Sequence, residues 1–241
     1  MNPEGVSFLL HVRAPALVVD DRRLLSVVHA MERGMPGLRL SWAISDEGEV
    51  FPVPRDDVRG TERKSNGSFL LLCNADEAHL VTISRGEIPG ALCSGGKPQF
   101  FVYADWPVDA PGVAAATDVL EGVAEAADSY WAHVTPNTVT DDFAKQTSQT
   151  PGGPSKTPRG LPMLKNAWEL RSPDVPRHLG WLNYWSAAAA RAIGFPDPAR
   201  DADLLSRARR TASGGWVVRL TEAPLDLDNP AHLQELLDRP R

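Results

Sequence analysis

Six histidines are the side chains of this sequence best suited to proton transfer near neutral pH. Two have neighbours that could tune them. His133 follows a run of helical periodicity, and His178 opens an aromatic-rich stretch. Glu125, Asp128 or Asp174 could orient either ring as a general base, which would make a small hydrolase or transferase. Sequence spacing joins none of these pairs, so capping or partly buried imidazoles are the plainer expectation. His11 and His79 fall in expected strands, where a structural role is expected. No HExxH, HxH or CxxC pattern occurs, so no metal site is expected.

Other chemistry-bearing patterns are sparse. Cys73 lies in an apolar run and reads as a small buried hydrophobe, while Cys93 sits in a Gly/Ser loop open to exposure. A disulfide between them is possible but not implied. Ser94-Gly95-Gly96-Lys97 and Pro151-Gly152-Gly153-Pro154-Ser155-Lys156 lack phosphate-loop spacing, and no serine sits in a GxSxG elbow. Asp226-Leu227-Asp228-Asn229 is a loose fragment of a calcium loop without its glycine or distal glutamate, and reads instead as helix capping. No catalytic residue, cofactor ligand or metal ligand is therefore nominated. The chain is expected not to be an enzyme.

Charge points to a different activity. The 241 residues are 42% hydrophobic and 23% charged, enough to bury a full core and unlike a disordered chain. A net charge of -6 argues against general binding to nucleic acid or anionic membrane, and would suit a basic partner such as the active face of a nuclease. Acidic clusters at Asp46, Glu47 and Glu49, at Asp56 and Asp57, and at Asp76 and Glu77 all fall in expected loops. On one side of a sheet they would steer such a partner. No apolar stretch approaches the roughly 20 residues of a bilayer span. The opening MNPEGVSFLLHVRAP carries an acid before its apolar run and lacks the pattern of a signal peptide, so a cytoplasmic setting is expected.

The elements that would position these residues follow from periodicity. Val6–Val12 and Ala16–Val19 read as an opening strand region. Leu24, Leu25, Val28 and Met31 repeat as a helix stopped by Gly34 and Pro36. Leu38–Ile44 alternates as a strand with Leu38, Leu40, Trp42 and Ile44 inward, and Val50–Val53 is its return after the turn Asp46–Glu49. Arg55–Gly67 reads as a surface loop. Ser68–Cys73 and His79–Ser84 form a hairpin signal, Gly86–Pro98 a connection and Gln99–Tyr103 a further strand. A long helix is expected over Val113–Ala132, and a mobile loop over 138–162. Arg177–Pro198 reads as an aromatic amphipathic helix with Trp181, Leu182, Trp185, Ala188, Ala189 and Ile193 in one stripe. A shorter helix over Asp201–Arg210, a strand at Trp216–Leu220 and a helix opened by Asn229-Pro230 complete the chain. The expected fold is α+β, a mostly antiparallel sheet with helices packed on one face. It forms a single domain in two halves, 1–105 strand-rich and 106–241 helix-rich.

Several blocks together carry a resemblance. Leu161-Pro162, Gly180–Ser186 (GWLNYWS), Gly194–Pro198 (GFPDP), Gly214–Leu233 (GGWVVRLTEAPLDLDNPAHL) and Tyr130–Pro136 (YWAHVTP) resemble the immunity protein 52-like families. These are bacterial proteins associated with polymorphic and type VI secretion toxins, together with related myxobacterial proteins of unknown function. The likeness spans roughly Ala126 to Leu233. It implies a non-catalytic protein that binds and neutralises a cognate toxin, a nuclease effector being the expected class, encoded by an adjacent gene. It supplies no interface residues. The acidic loops, Asp46, Glu47, Glu49, Asp56 and Asp57, are the expected toxin-binding face.

Overall fold

The computed structural model describes residues 5–53, 67–147, 149–150, 153–154, 158–161 and 164–238. One antiparallel sheet of ten strands organises the chain. Its strands are β1 (Ser7–Pro15), β2 (Trp42–Ile44), β3 (Val50–Pro52), β4 (Leu71–Cys73), β5 (Thr82–Ile88), β6 (Gln99–Pro107), β7 (Trp131–Pro136), β10 (Leu182–Trp185), β11 (Ala208–Arg210) and β12 (Trp216–Arg219). A separate pair is formed by β8 (Gln149–Thr150) and β9 (Gly153–Pro154). The helices are α1 (Arg23–Gly34), α2 (Ala110–Ala126), α3 (Asn137–Thr147), α4 (Ala187–Ala192), α5 (Ala202–Ser206) and α6 (Pro230–Leu237). Across the sheet the order is β11-β12-β10-β7-β1-β6-β5-β4-β2-β3, which places β1 inside, between β6 and β7. The fold is α+β, as expected.

Register assigns the two faces, because directly paired residues share a side. Val12 pairs with Val102 and Ala132, and Ala132 with Tyr184, so one face carries Phe8, Leu10, Val12 and Ala14 along β1, all fully buried. Helix α2 lies on this face. The Trp106 indole donates to Gly112 O at 3.2 Å, and the Tyr184 hydroxyl donates to Glu125 Oε1 at 2.9 Å. Its apolar residues Ala116, Val119, Leu120, Val123 and Ala124 are buried there, and α1 packs beside it through Val27, Val28 and Met31. The N-cap Asp109, accepting from Gly112 N at 2.7 Å, and Pro111 in the first turn set the start of α2. The opposite face carries His11 between Tyr103 and His133, with Asn183 beyond. The chain before β10 covers it, and the Trp131 indole donates to Pro173 O at 2.9 Å.

Several expectations give way to this arrangement. The aromatic stretch is not one helix: Leu182–Trp185 is strand, all four residues buried, and helix begins only after Ser186, whose side chain accepts from Ala189 N at 3.1 Å. A strand buried on both faces loses its alternation, and aromatic residues fit such a strand at least as well as a helix. The same cause shortens the helix expected over Val113–Ala132. It ends at Ala126, Asp128 turns the chain at φ 52°, and Trp131–Pro136 is a wholly buried strand. Within the stretch expected to be a loop, Asn137–Thr147 is helix, with Val139 and Phe143 buried one turn apart. The expected strand at 38–44 is only Trp42–Ile44, with Ala43 inward and its neighbours half-buried. Ala16–Val19 adds no strand, and His79 lies in an exposed turn. Cys93 is buried, and both cysteines are free thiols. The Leu71–Cys73 hairpin partner, the Trp216–Arg219 strand and the Asn229-capped last helix stand where the sequence places them.

Candidate functional site

Three histidines meet where β1, β7 and the chain before β10 come together. The His11 and His133 rings lie 5.1 Å apart, and His178 stands 4.6 Å from His133. Trp131 stacks on His133 at 5.8 Å, and Phe143 of α3 closes over His178 at 4.3 Å. The strands bring His11 and His133 together because they are paired residues of adjacent strands. Gly180 brings the third. A Cβ at this position would sit 2.8 Å from Val134 O and 2.9 Å from the His133 Cβ, so only glycine lets the chain pass so close to β7. Asn183 fastens that passage: it accepts from Gly180 N at 2.9 Å and donates to Gly180 O at 3.0 Å.

Burial decides the chemistry of these rings. His133 is 1% exposed, and neither of its ring nitrogens has a hydrogen-bond partner. Desolvation holds its pKa well below the usual imidazole value, with further lowering from His178, His11 and Arg13. His11 is pulled down to about 3 by burial first, then by Arg13 and Arg177. Both rings are therefore neutral across the physiological range. Two of the carboxylates that might have activated His133 accept hydrogen bonds from other groups. Glu125 accepts from Tyr184 and Ser213 on the α2 face, and Asp174 accepts from Ser172 Oγ at 3.1 Å. An imidazole sealed from solvent with no carboxylate on it does not match the geometry of a general base.

Two arginines border the cluster. The Arg13 guanidinium lies 5.1 Å over the Tyr103 ring and 5.8 Å over Phe101, and it donates to the Tyr103 hydroxyl. Its Nη1 is buried without an acceptor. Arg177 donates through Nε to Lys165 O at 3.1 Å. Among the described residues neither arginine forms an ion pair. Beside the cluster opens a cavity of about 360 Å³, walled by Trp185, Ile193, Phe195 and Leu204 with Arg177 and His178 on its border. No group of histidines, cysteines and carboxylates suited to a metal ion occurs among the described residues.

The expected toxin-binding residues lie at the far edge of the sheet. Asp46, Glu47 and Glu49 form the exposed turn between β2 and β3, where Ser45 Oγ accepts from Glu47 N and Glu49 N, each at 3.2 Å. The outermost strand β3 follows, with Val50 and Phe51 exposed. Asp56 and Asp57 lie outside the described residues. The turn is thus far removed in strand order from the histidine–arginine cluster: β4, β5 and β6 stand between β2 and β1. The cluster and the cavity escaped sequence reasoning. One signal was present, the strict alternation of Ser7, Leu9, His11 and Arg13 against Phe8, Leu10, Val12 and Ala14, which puts an imidazole and a guanidinium on one sheet face.

The model of a domain of unknown function, DUF5953, matches residues 19–239. The chain belongs to the DUF5953 family. No curated protein matches it. Among solved structures, the DUF5953 chain is similar to the Pseudomonas aeruginosa T6SS protein PA0821, with a TM-score of 0.52 and 13% identity. The match covers 91% of this chain and 66% of that one, so the DUF5953 chain spans a little less than two thirds of its neighbour's length. Likeness at this identity speaks for a shared fold. Among the described residues no helix is long and apolar enough to cross a membrane.

Proposed function

We propose that this protein is an immunity protein of the type VI secretion world, which binds a cognate toxin and blocks it without catalysis. The observation that carries the reading is the likeness of nearly the whole fold to a T6SS protein. The immunity protein 52-like blocks around Gly180–Ser186 and Gly214–Leu233 supply the finer class. The site chemistry favours binding over turnover, because His133 is neutral, sealed and unattended by a carboxylate. The toxin is a nuclease effector with a basic active face, neutralised in the cytoplasm. Its contact is the acidic turn Asp46–Glu49 with the edge strand beside it, where three carboxylates flank the exposed Val50 and Phe51. Carboxylates at such a rim steer the encounter, and apolar side chains at its centre hold it.

The test is co-expression with the product of the adjacent gene, followed by co-purification and a growth assay. A stable complex with rescue of growth is expected. Reversing Asp46, Glu47 and Glu49 to lysine should slow association and remove most of its salt dependence. Toxicity without rescue sinks the immunity reading. A complex indifferent to the charge reversal moves the interface elsewhere.

A further inference from the structure

The cavity beside the histidines combines two properties seldom found without a ligand. Its walls are hydrocarbon and aromatic, from Trp185, Ile193, Phe195 and Leu204, and its volume of about 360 Å³ falls in the range of small-molecule pockets. Its border carries cationic charge that the described residues leave uncancelled. Arg200 is neutralised by Asp201, with Nη2 to Oδ2 at 2.7 Å, and donates as well to Gly194 O at 2.9 Å. Arg177 has no such carboxylate among the described residues, and its one hydrogen bond uses Nε alone, toward Lys165 O.

Arg177 is also held where its charge is costly. It is half-buried, and its pKa is lowered by desolvation first and then by the like charge of Arg13. Arg13 is itself without an ion pair among the described residues, and its Nη1 is buried with no acceptor. Two partly buried guanidiniums within electrostatic reach of one another favour a compensating anion more than exposed surface arginines do. The carboxylate nearest in effect to Arg177, Glu169, is committed through Oε2 to the Asn166 amide at 2.6 Å.

We propose that this cavity is a binding site for a small apolar carboxylate, its hydrocarbon body against Trp185, Ile193 and Phe195 and its carboxylate on Arg177. The planar guanidinium offers its two terminal amino groups to a carboxylate, a match of geometry as well as charge. The aromatic and aliphatic walls accept an aliphatic or aryl body. The site is independent of the toxin-binding turn, which lies across the sheet beyond β1, β6, β5 and β4.

The experiment uses the full chain and two acids, hexanoate and phenylpropionate, each against the alcohol of the same skeleton. Binding is followed by calorimetry and by intrinsic tryptophan fluorescence, to which Trp185 in the cavity wall contributes. The acids should bind saturably, and the alcohols at least about tenfold more weakly, the worth of one charge-assisted contact. Arg177→Gln should bring the acids down to the level of the alcohols while leaving the alcohols unchanged. Ala192→Trp, at an exposed position on the lip of the cavity, should abolish binding of both. Equal binding of acid and alcohol to the native chain overturns the proposal. So does an absence of saturation at millimolar acid, or an Arg177→Gln variant that binds the acids as before.

Discussion

Lowering the pH from about 7.5 to about 5 should destabilise this protein by some kilocalories per mole, through two imidazoles. His11 titrates at 6.5 when free of the fold and at about 3 within it, and His133 is likewise held well below 6.5. Below pH 6.5 the unfolded chain therefore binds protons that the folded chain refuses. The associated stability is fully present above that pH and is lost as the pH falls toward the folded value. For His11 the slope approaches about 1.4 kcal/mol per pH unit, so the interval costs about 2 kcal/mol, and His133 adds to the loss in the same direction. Domains commonly hold only about 5–15 kcal/mol, so the loss is measurable by urea unfolding. Asp21 does not confuse this window, because its hydrogen bond from Arg23 holds its pKa near 2 and its contribution is lost only at lower pH. In His133→Phe the slope should fall, with stability at pH 7.5 held or raised by about 1 kcal/mol, since two unpartnered buried nitrogens are removed. An unfolding free energy that is flat between these pH values would refute the reasoning, as would a variant whose slope matches the native chain.

Two further substitutions probe what holds the cluster in place. Arg23 donates to Pro15 O, Ala16 O and Ala127 O at 3.0, 2.9 and 3.2 Å and pairs with Asp21, so it joins the end of β1 to both long helices. Arg23→Ala should cost about 2–4 kcal/mol in denaturant unfolding, and Arg23→Lys should recover little of it, because an ammonium cannot span three carbonyls; full recovery by lysine would contradict this. Gly180→Ala should cost about 1–3 kcal/mol, since its methyl would sit 2.8 Å from the Val134 carbonyl oxygen and 2.9 Å from the His133 Cβ. A loss below about half a kilocalorie would mean that β10 can shift away from β7.

Legibility followed the number of faces an element buries. Helix α1 shows one apolar face and one polar face, and the sequence located it to within a residue or two. The hairpin of β4 and β5 carries its own turn signal at Asn74–Glu77, and Asn74 closes that turn by accepting from Val81 N at 2.9 Å. Strands β7 and β10 bury both faces, so Trp131–Pro136 and Leu182–Trp185 show no period of two, and their aromatic and alanine neighbours imitated a helix. The Ser186 cap was the overlooked clue to where helix truly begins.

The candidate site divides in the same way. Local chemistry made Asp46, Glu47 and Glu49 a turn, because glycine and short polar side chains satisfy the backbone there without distant help. The sequence by itself also determined the α+β character, the acidic balance and the absence of any catalytic motif. Only the tertiary structure decided that His11, His133 and His178, drawn from positions far apart in the chain, share one cluster around the buried His133. Only it left Arg13 and Arg177 beside that cluster without a carboxylate partner among the described residues. The physical reason is that a residue's partners across a sheet follow from strand order and register, which are settled by the packing of the whole chain and leave no mark at any one position.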